Sequence, residues 1–209
     1  MSEAFTTALV AYFVTVDPLG LVPIFIAITA GATTVERRRI ALRGVLVGTA
    51  VLLLFVLFGH RLLTGLGIGI PAFRVAGGLF LFVLALEMVF ERRGERRGGT
   101  AGTIASEPRS ADVAVFPLGI PLIAGPAAIT TTVLAAERYA RSWPELLAVA
   151  AALLLIMIAT HLAFLLGDRI QRHLGPTMIN VLSRLLGLLL GALAMQYVID
   201  GLRQGFGIG

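Results

Sequence analysis

The sequence predicts an all-α membrane protein of six transmembrane helices, arranged as two inverted three-helix repeats with proline-broken first and fourth helices. Three observations predict this fold class: the composition, the distribution of charge, and an ordered set of matches between the two halves. Of the 209 residues, 57% are hydrophobic and only 14% are charged, whereas a typical soluble domain has about 25% charged residues. Because so few charges cannot form a polar shell, we expect lipid to be the solvent.

Six apolar stretches are candidates to cross a bilayer, whose hydrocarbon core of about 30 Å needs roughly 20 helical residues. They are 4–30, 44–58, 72–90, 113–136, 146–166 and 177–199. The segments between them are predicted as loops, including the basic segment 36–43, the Gly-rich segment 59–71 and the segment 168–176. We therefore divide the chain into a first repeat (1–90), a cytoplasmic linker rich in Gly and Arg (91–112) and a second repeat (113–209).

All 17 basic residues are arginines, and they cluster at the ends of the predicted helices. We therefore attribute the pI of about 10.9 to membrane topology and not to nucleic-acid binding. With the N-terminus outside, twelve arginines face the cytoplasm and five face outward. Positive charge is retained on the cytoplasmic side, so both termini are predicted to lie outside a cell (inner) membrane. The first residues lack a basic region, so we expect no cleaved signal peptide.

The two halves of the chain match in the same order. The matched segments are 18–20 with 117–119, 59–62 with 167–170, and 74–77 with 184–187. Each predicted repeat has three spans, so the second must enter the membrane from the opposite side. This arrangement is an inverted repeat with a pseudo-two-fold axis in the membrane plane.

The first span of each half contains residues that interrupt a helix. They are Pro18, Gly20 and Pro23 in the first span and Pro117, Gly119, Pro121, Gly125 and Pro126 in the fourth. Proline lacks the N–H and clashes with the carbonyl four residues back, and freed backbone groups inside a membrane need protein or water as partners. Interruptions in corresponding helices of two repeats are typical of transporter binding sites. The alternative is that these prolines only kink the helices.

We assign a candidate substrate site to the two interruptions. Its residues are Asp17, Pro18, Gly20, Pro23, Pro121, Gly125, Pro126, Ala127, Thr130 and Thr131. A carboxylate in mid-membrane is costly, so we expect Asp17 to be neutral, paired or in contact with water. Its alternative role is to cap the helix that begins at Pro18. The threonine hydroxyls can bond a substrate or can bond back to helix carbonyls.

The remaining polar residues do not predict a catalytic or metal site. Arg74 and Arg184 are expected to extend to the membrane interface, with gating or carboxylate binding as the alternative. The three histidines lack the spacing of a metal cluster, and we expect His161 to be packed or interfacial, with a proton relay as the alternative. An intramembrane aspartyl enzyme needs two facing acids, and only Asp17 lies deep. We therefore predict no enzyme and no cofactor.

Both interrupted segments carry a recognisable pattern. Residues 17–25, DPLGLVPIF, resemble the signature D-P-x-G-x-x-P-x-F of the MarC family of bacterial and archaeal membrane proteins. Residues 117–129 resemble its second signature, P-L-x-x-P-x-x-A-G-P-G-x-I, with Ala127 where the family usually has Gly. The resemblance covers essentially the whole chain. It implies six spans in an inverted-repeat plan, and some relatives are described as transporters of small neutral amino acids such as glycine and alanine.

Together, the residues and the resemblance predict a secondary transporter of small neutral amino acids. Asp17 would meet the substrate ammonium or a coupling proton, and the N–H groups after Gly125 would receive the carboxylate. The expected partners are the amino acid and the lipid bilayer, with no nucleic acid; a coupling proton or Na⁺ and assembly into an oligomer are left open. The alternatives are an exporter of another small metabolite or drug, and a scaffold or lipid-handling protein that transports nothing.

Overall fold

The computed structural model describes residues 2–90, 113–139 and 142–208 of the chain. The described residues form eight helical segments joined by short turns, without a strand among them. The segments are α1 (Ser2–Val16), α2 (Pro18–Ile28), α3 (Thr34–Gly65), α4 (Ile70–Val89), α5 (Ala114–Ile123), α6 (Pro126–Arg138), α7 (Trp143–Leu165) and α8 (Gly167–Phe206). The predicted linker 91–112 lies outside the described residues.

The described helices include several that can cross a membrane. Five stretches are long and apolar enough: Ser2–Ile28, which joins α1 and α2, together with α3, α4, α7 and the part of α8 from Thr177 to Phe206. The pair α5–α6 is bent by 57° and provides a sixth crossing if it is counted as one span. The prediction of an all-α protein with multiple membrane helices is confirmed.

Three of the predicted loops are wrong in extent because the helices run further than the apolar stretches. The basic segment 36–43 belongs to α3, whose start is set by a reciprocal cap. Glu36 N–H donates to Thr33 Oγ1 at 3.3 Å, and Thr33 N–H donates to Glu36 Oε2 at 2.7 Å, which satisfies two donors at the helix start. Residues 59–65 continue α3, and 168–176 lie in α8, where only Gly175 has non-helical backbone angles (φ 66°).

The two halves of the chain are interleaved. The middle helix of the first half, α3, packs on α5 and α6, whereas the middle helix of the second half, α7, packs on α1 and α2. In addition α4 contacts α6, α2 contacts α8, and α4 and α8 pack against each other. Each interrupted span is therefore held mainly by helices of the other half.

Glycines allow α4 and α8 to approach closely. A Cβ atom on Gly78 would lie 2.7 Å from the carbonyl oxygen of Ala194, and one on Gly187 would lie 2.8 Å from the Cβ atom of Met88. Small residues at such contacts let two backbones come together in a membrane, where packing rather than water exclusion drives association. The α4–α8 pair therefore depends on residues that contribute little apolar surface themselves.

Candidate substrate site

The first interruption lies at Asp17, between α1 and α2. Its backbone has φ 56° and ψ 69°, and it is the one non-glycine residue with positive φ in the described parts of the chain. Asp is one of the few non-glycine residues that adopt the left-handed region readily. Pro18 begins α2, where its missing N–H leaves no hydrogen bond unmade. Pro23 lies within α2, so the helix breaks at Asp17 and not at Pro23.

The Asp17 side chain is buried, with 2% of its surface exposed. Its Oδ1 atom accepts a hydrogen bond from the Gly20 N–H at 3.0 Å, which is the geometry of a helix N-cap. A Cβ atom on Gly20 would collide with the Asp17 carboxylate, because its three nearest neighbours would all be carboxyl atoms of Asp17. The pattern Asp-Pro-x-Gly therefore has a local explanation: Asp caps the helix, Pro begins it and Gly leaves room for the cap.

The second interruption spans α5 and the residues after it. Phe116 and Ile120 have extended backbones, with φ of −128° and −135°. Each precedes a proline, and proline disfavours the helical conformation in the residue before it. Hydrogen bonds between residues five apart in the sequence hold the segment. The Leu118 N–H donates to the Val113 carbonyl at 3.3 Å, and the Ala124 N–H donates to the Gly119 carbonyl at 3.0 Å.

Helix α6 begins at Pro126 after an extended Gly125 with φ −84° and ψ 170°. A Cβ atom on Gly125 would lie 2.6 Å from the carbonyl oxygen of Pro121, so any other residue would force the backbone apart. The first N–H groups of a helix have no partner inside it. The start of α6 therefore offers donors to a carboxylate or to water.

Residues that flank the two interruptions pack together. Val16 and Leu21 of the first interruption share one apolar cluster with Ile123, Ala124 and Ala128 of the second. A second cluster joins α1, α4, α6 and α8 through Val14, Leu81, Leu134, Leu190 and Tyr197, and Ala127 packs against it. Residues beside both interruptions thus belong to the same apolar core.

The ten predicted site residues differ in burial. Four are buried (Asp17, Pro18, Thr130 and Thr131), four are half-buried (Gly20, Pro23, Gly125 and Ala127), and two are exposed on the described surface (Pro121 and Pro126). The buried Thr131 hydroxyl has no hydrogen-bond partner among the described residues. The neighbouring Thr132 hydroxyl donates back to the Ala128 carbonyl at 2.7 Å. Of these two threonines, Thr131 is the one whose hydroxyl proton is left for a ligand.

Sequence reasoning missed Tyr12, whose side chain is fully buried in α1. Its hydroxyl faces the Thr132 side chain but completes no hydrogen bond among the described residues. A tyrosine in the middle of an apolar span was the available signal, because a buried phenol usually needs a polar partner. Tyr12 is therefore a further buried polar side chain of the first span, beside Asp17 at its end.

A cleft opens at the far end of α6 from Pro126, between α4, α6 and α8. It has a volume of about 450 Å³ and is lined by Ile70, Arg74, Leu134, Glu137, Arg138, Tyr197, Asp200 and Gln204. None of the ten predicted site residues lines this α4–α6–α8 cleft. Arg74, predicted to extend to the membrane interface, is half-buried and lines the cleft.

Comparisons with known proteins agree with this architecture. Residues 2–206 match the family described as MarC family integral membrane protein. The UPF0056 membrane protein MJ1677 of Methanocaldococcus jannaschii is 34% identical over 96% of this chain and 97% of its own. The UPF0056 inner membrane protein YhgN of Escherichia coli is 31% identical over 98% of both chains. No solved structure matches. The resemblance of the two signatures is thereby confirmed, and the chain belongs to the MarC family of integral membrane proteins.

Proposed function

We propose that this protein is a secondary transporter of small neutral amino acids of the size of glycine and alanine. The observation that carries the proposal is the packing of two interrupted spans, one from each half, each of which contains buried polar side chains. An unsatisfied buried polar group costs roughly 1–3 kcal/mol, and an ionisable side chain inside a membrane, such as that of Asp17, generally marks a solute pathway. The Thr131 hydroxyl therefore favours a polar ligand or water at this position.

The proposed mechanism uses both interruptions. The Asp17 carboxylate would meet the substrate ammonium or a coupling proton while it keeps its bond to Gly20, because a carboxylate has about four lone-pair sites. The N–H groups at the start of α6, after Gly125, would receive the substrate carboxylate. A substrate bound in this way would bridge the two halves, so its binding would be coupled to their relative movement. Coupling to a proton or Na⁺ gradient would supply the energy.

The proposed architecture is an inverted repeat of six spans. It is supported by the pattern of contacts, in which α3 meets α5 and α6 as α7 meets α1 and α2, and α4 meets α6 as α8 meets α2. The distribution of arginines favours termini on the outer side of the membrane. Alternating access would then follow from rocking of one repeat against the other around a fixed site.

The amino-acid substrate is supported by the family resemblance and by the number and kind of polar groups at the two interruptions. One carboxylate and one helix start can bind one ammonium and one carboxylate group, and little else. We do not expect an enzyme, because the proposed chemistry forms and breaks no covalent bond.

Flux measurements test the proposal directly. The purified full chain is reconstituted in liposomes, and uptake of labelled glycine and alanine is followed under imposed proton and Na⁺ gradients. We expect gradient-dependent flux in the wild type, a large loss in Asp17→Asn and wild-type flux in the exposed control Arg61→Gln. Equal flux in the wild type and Asp17→Asn would refute the role of Asp17. Absence of flux for every amino acid would refute the substrate class and favour a scaffold or lipid-handling protein.

A further inference from the structure

We propose that the α4–α6–α8 cleft is a second binding site, which takes a small zwitterion bearing one carboxylate and one ammonium group. The inference rests on the proposed function, because it assigns to the same substrate class an access site at one end of the molecule. The cleft is separate from the candidate substrate site, and it uses none of the residues around the two interruptions.

The charges of the cleft are balanced. Two arginines, Arg74 and Arg138, and two acids, Glu137 and Asp200, line the same space. A cleft of one sign would favour a net anion or a net cation, whereas equal numbers of both signs complement a molecule that carries both. A neutral amino acid is the smallest common solute of this kind.

Two of these four charges already have partners. The Glu137 Oε2 atom lies 2.7 Å from His60 Nδ1. The Arg138 guanidinium lies 5.7 Å from the centre of the Tyr139 ring and 3.9 Å from the Glu3 carboxylate. Glu137 is therefore held in place as a wall of the cleft, whereas the contacts of Arg138 are longer and its side chain is half-exposed.

The other two charges, Arg74 and Asp200, line the cleft without pairing with each other. Arg74 has no hydrogen bond or ion pair with any residue that the structure describes, and Asp200 Oδ1 accepts only a neutral hydrogen bond, from Gln196 Nε2 at 2.8 Å. The buried Tyr197 lines the same cleft. A molecule carrying both signs can bridge them, with its carboxylate on the Arg74 guanidinium and its ammonium on the Asp200 carboxylate.

The size and position of the cleft fit a small substrate on its way to the interior. Its volume of about 450 Å³ lies within the usual range of roughly 300–1,000 Å³ for ligand pockets. Its inner wall includes Leu134 and Tyr197, which belong to the apolar cluster that Ala127 contacts beside the second interruption. The short side chain of glycine or alanine needs only this small apolar wall. The cleft lies at the C-terminal end of α6, and the candidate substrate site includes its N-terminal end.

Binding measurements on the purified full chain in detergent test the proposal apart from transport. The probes are glycine, alanine, acetate, glycinamide and phosphoethanolamine, each titrated calorimetrically. Acetate lacks the ammonium group, glycinamide lacks the carboxylate, and phosphoethanolamine represents the zwitterionic headgroup of a lipid. We expect glycine and alanine to bind at least tenfold more tightly than the other three. The same titrations are repeated in Asp17→Asn, in which the candidate substrate site lacks its carboxylate, so the affinity that remains reports the cleft.

Variants then locate the site. Removing one charge-assisted contact should weaken glycine binding about tenfold to a hundredfold, so we expect this loss in both Arg74→Gln and Asp200→Asn. Arg74→Lys keeps the positive charge but loses the planar guanidinium that binds a carboxylate with two hydrogen bonds. Its affinity for glycine should therefore lie between those of Arg74→Gln and the wild type. The exposed Arg61→Gln is the matched control and should bind as the wild type does. Asp17→Asn should retain cleft binding, which separates the two sites.

The outcomes discriminate between this inference and the proposed function. Wild-type glycine affinity and flux in both Arg74→Gln and Asp200→Asn would overturn the cleft site and leave the transporter standing. Tighter binding of phosphoethanolamine than of glycine would overturn it in favour of a lipid headgroup. Flux of glycine without cleft binding would also overturn it, whereas absence of both flux and binding in the wild type would overturn both proposals.

Discussion

The cap formed by Asp17 makes a quantitative prediction about the stability of the first span. Replacing Asp17 with Ala removes the hydrogen bond to the Gly20 N–H, at a cost of about 1 kcal/mol. It also places alanine at φ 56°, a left-handed conformation that costs roughly 1–2 kcal/mol for a residue with a Cβ atom. We therefore expect Asp17→Ala to lower the free energy of unfolding by about 2–3 kcal/mol.

Asparagine is the matched replacement because it caps helices as well as Asp does and it tolerates the left-handed region. We expect Asp17→Asn to unfold within about 1 kcal/mol of the wild type while it loses transport. The assay is reversible unfolding of the chain in mixed detergent micelles, followed by circular dichroism as the denaturing detergent is increased. An Asp17→Asn variant as unstable as Asp17→Ala would refute this reasoning, because the charge and not the cap would then hold the span together.

Three further predictions concern packing. Gly20→Ala should destabilise the wild type, and it should do so by at least about 1 kcal/mol less in the Asp17→Ala background, as measured by a double-mutant cycle. The reason is that the three atoms nearest to the added Cβ all belong to the Asp17 carboxyl. Gly78→Ala should cost about 1–3 kcal/mol of unfolding free energy, because its Cβ atom would meet a backbone carbonyl of α8. The matched control Gly191→Ala, whose nearest contact lies at 3.6 Å, should be close to neutral. Equal effects of the two substitutions would contradict the close approach of α4 and α8. Asp168→Asn breaks an exposed ion pair to α3 and should cost less than about 1 kcal/mol; a larger loss in the same unfolding assay would show that the pair is coupled to packing.

Much of the candidate site could be read from short-range patterns. Asp before Pro, with Gly three residues after the Asp, is a local arrangement, and its capping role follows from the chemistry of those residues alone. The prolines at 117 and 121 likewise act on the residue directly before them. The sequence could not show that Pro23 leaves α2 unbroken, or which threonine keeps an unused hydroxyl, because both depend on how the surrounding helices pack.

The helix boundaries show the same limit. Hydropathy marks where a helix is apolar and not where it ends. It therefore missed that α3 starts at its Thr33–Glu36 cap, and that the residues from Gly167 up to the kink at Gly175 are helical. The sequence could not predict the cleft either. Arg74 and Asp200 lie far apart in the chain, and they line one space only because α4 packs against α8.

The sequence by itself determined that this is an α-helical membrane protein with two interrupted segments, since composition and proline chemistry act locally and do not depend on the rest of the fold. The tertiary structure alone decided that each interrupted span is held by the middle helix of the other half, and that Arg74 and Asp200 line one cleft. The pairing of α4 with α8 depends on close approaches at glycines such as Gly78. Glycine allows a helix to come near without specifying which helix it will be.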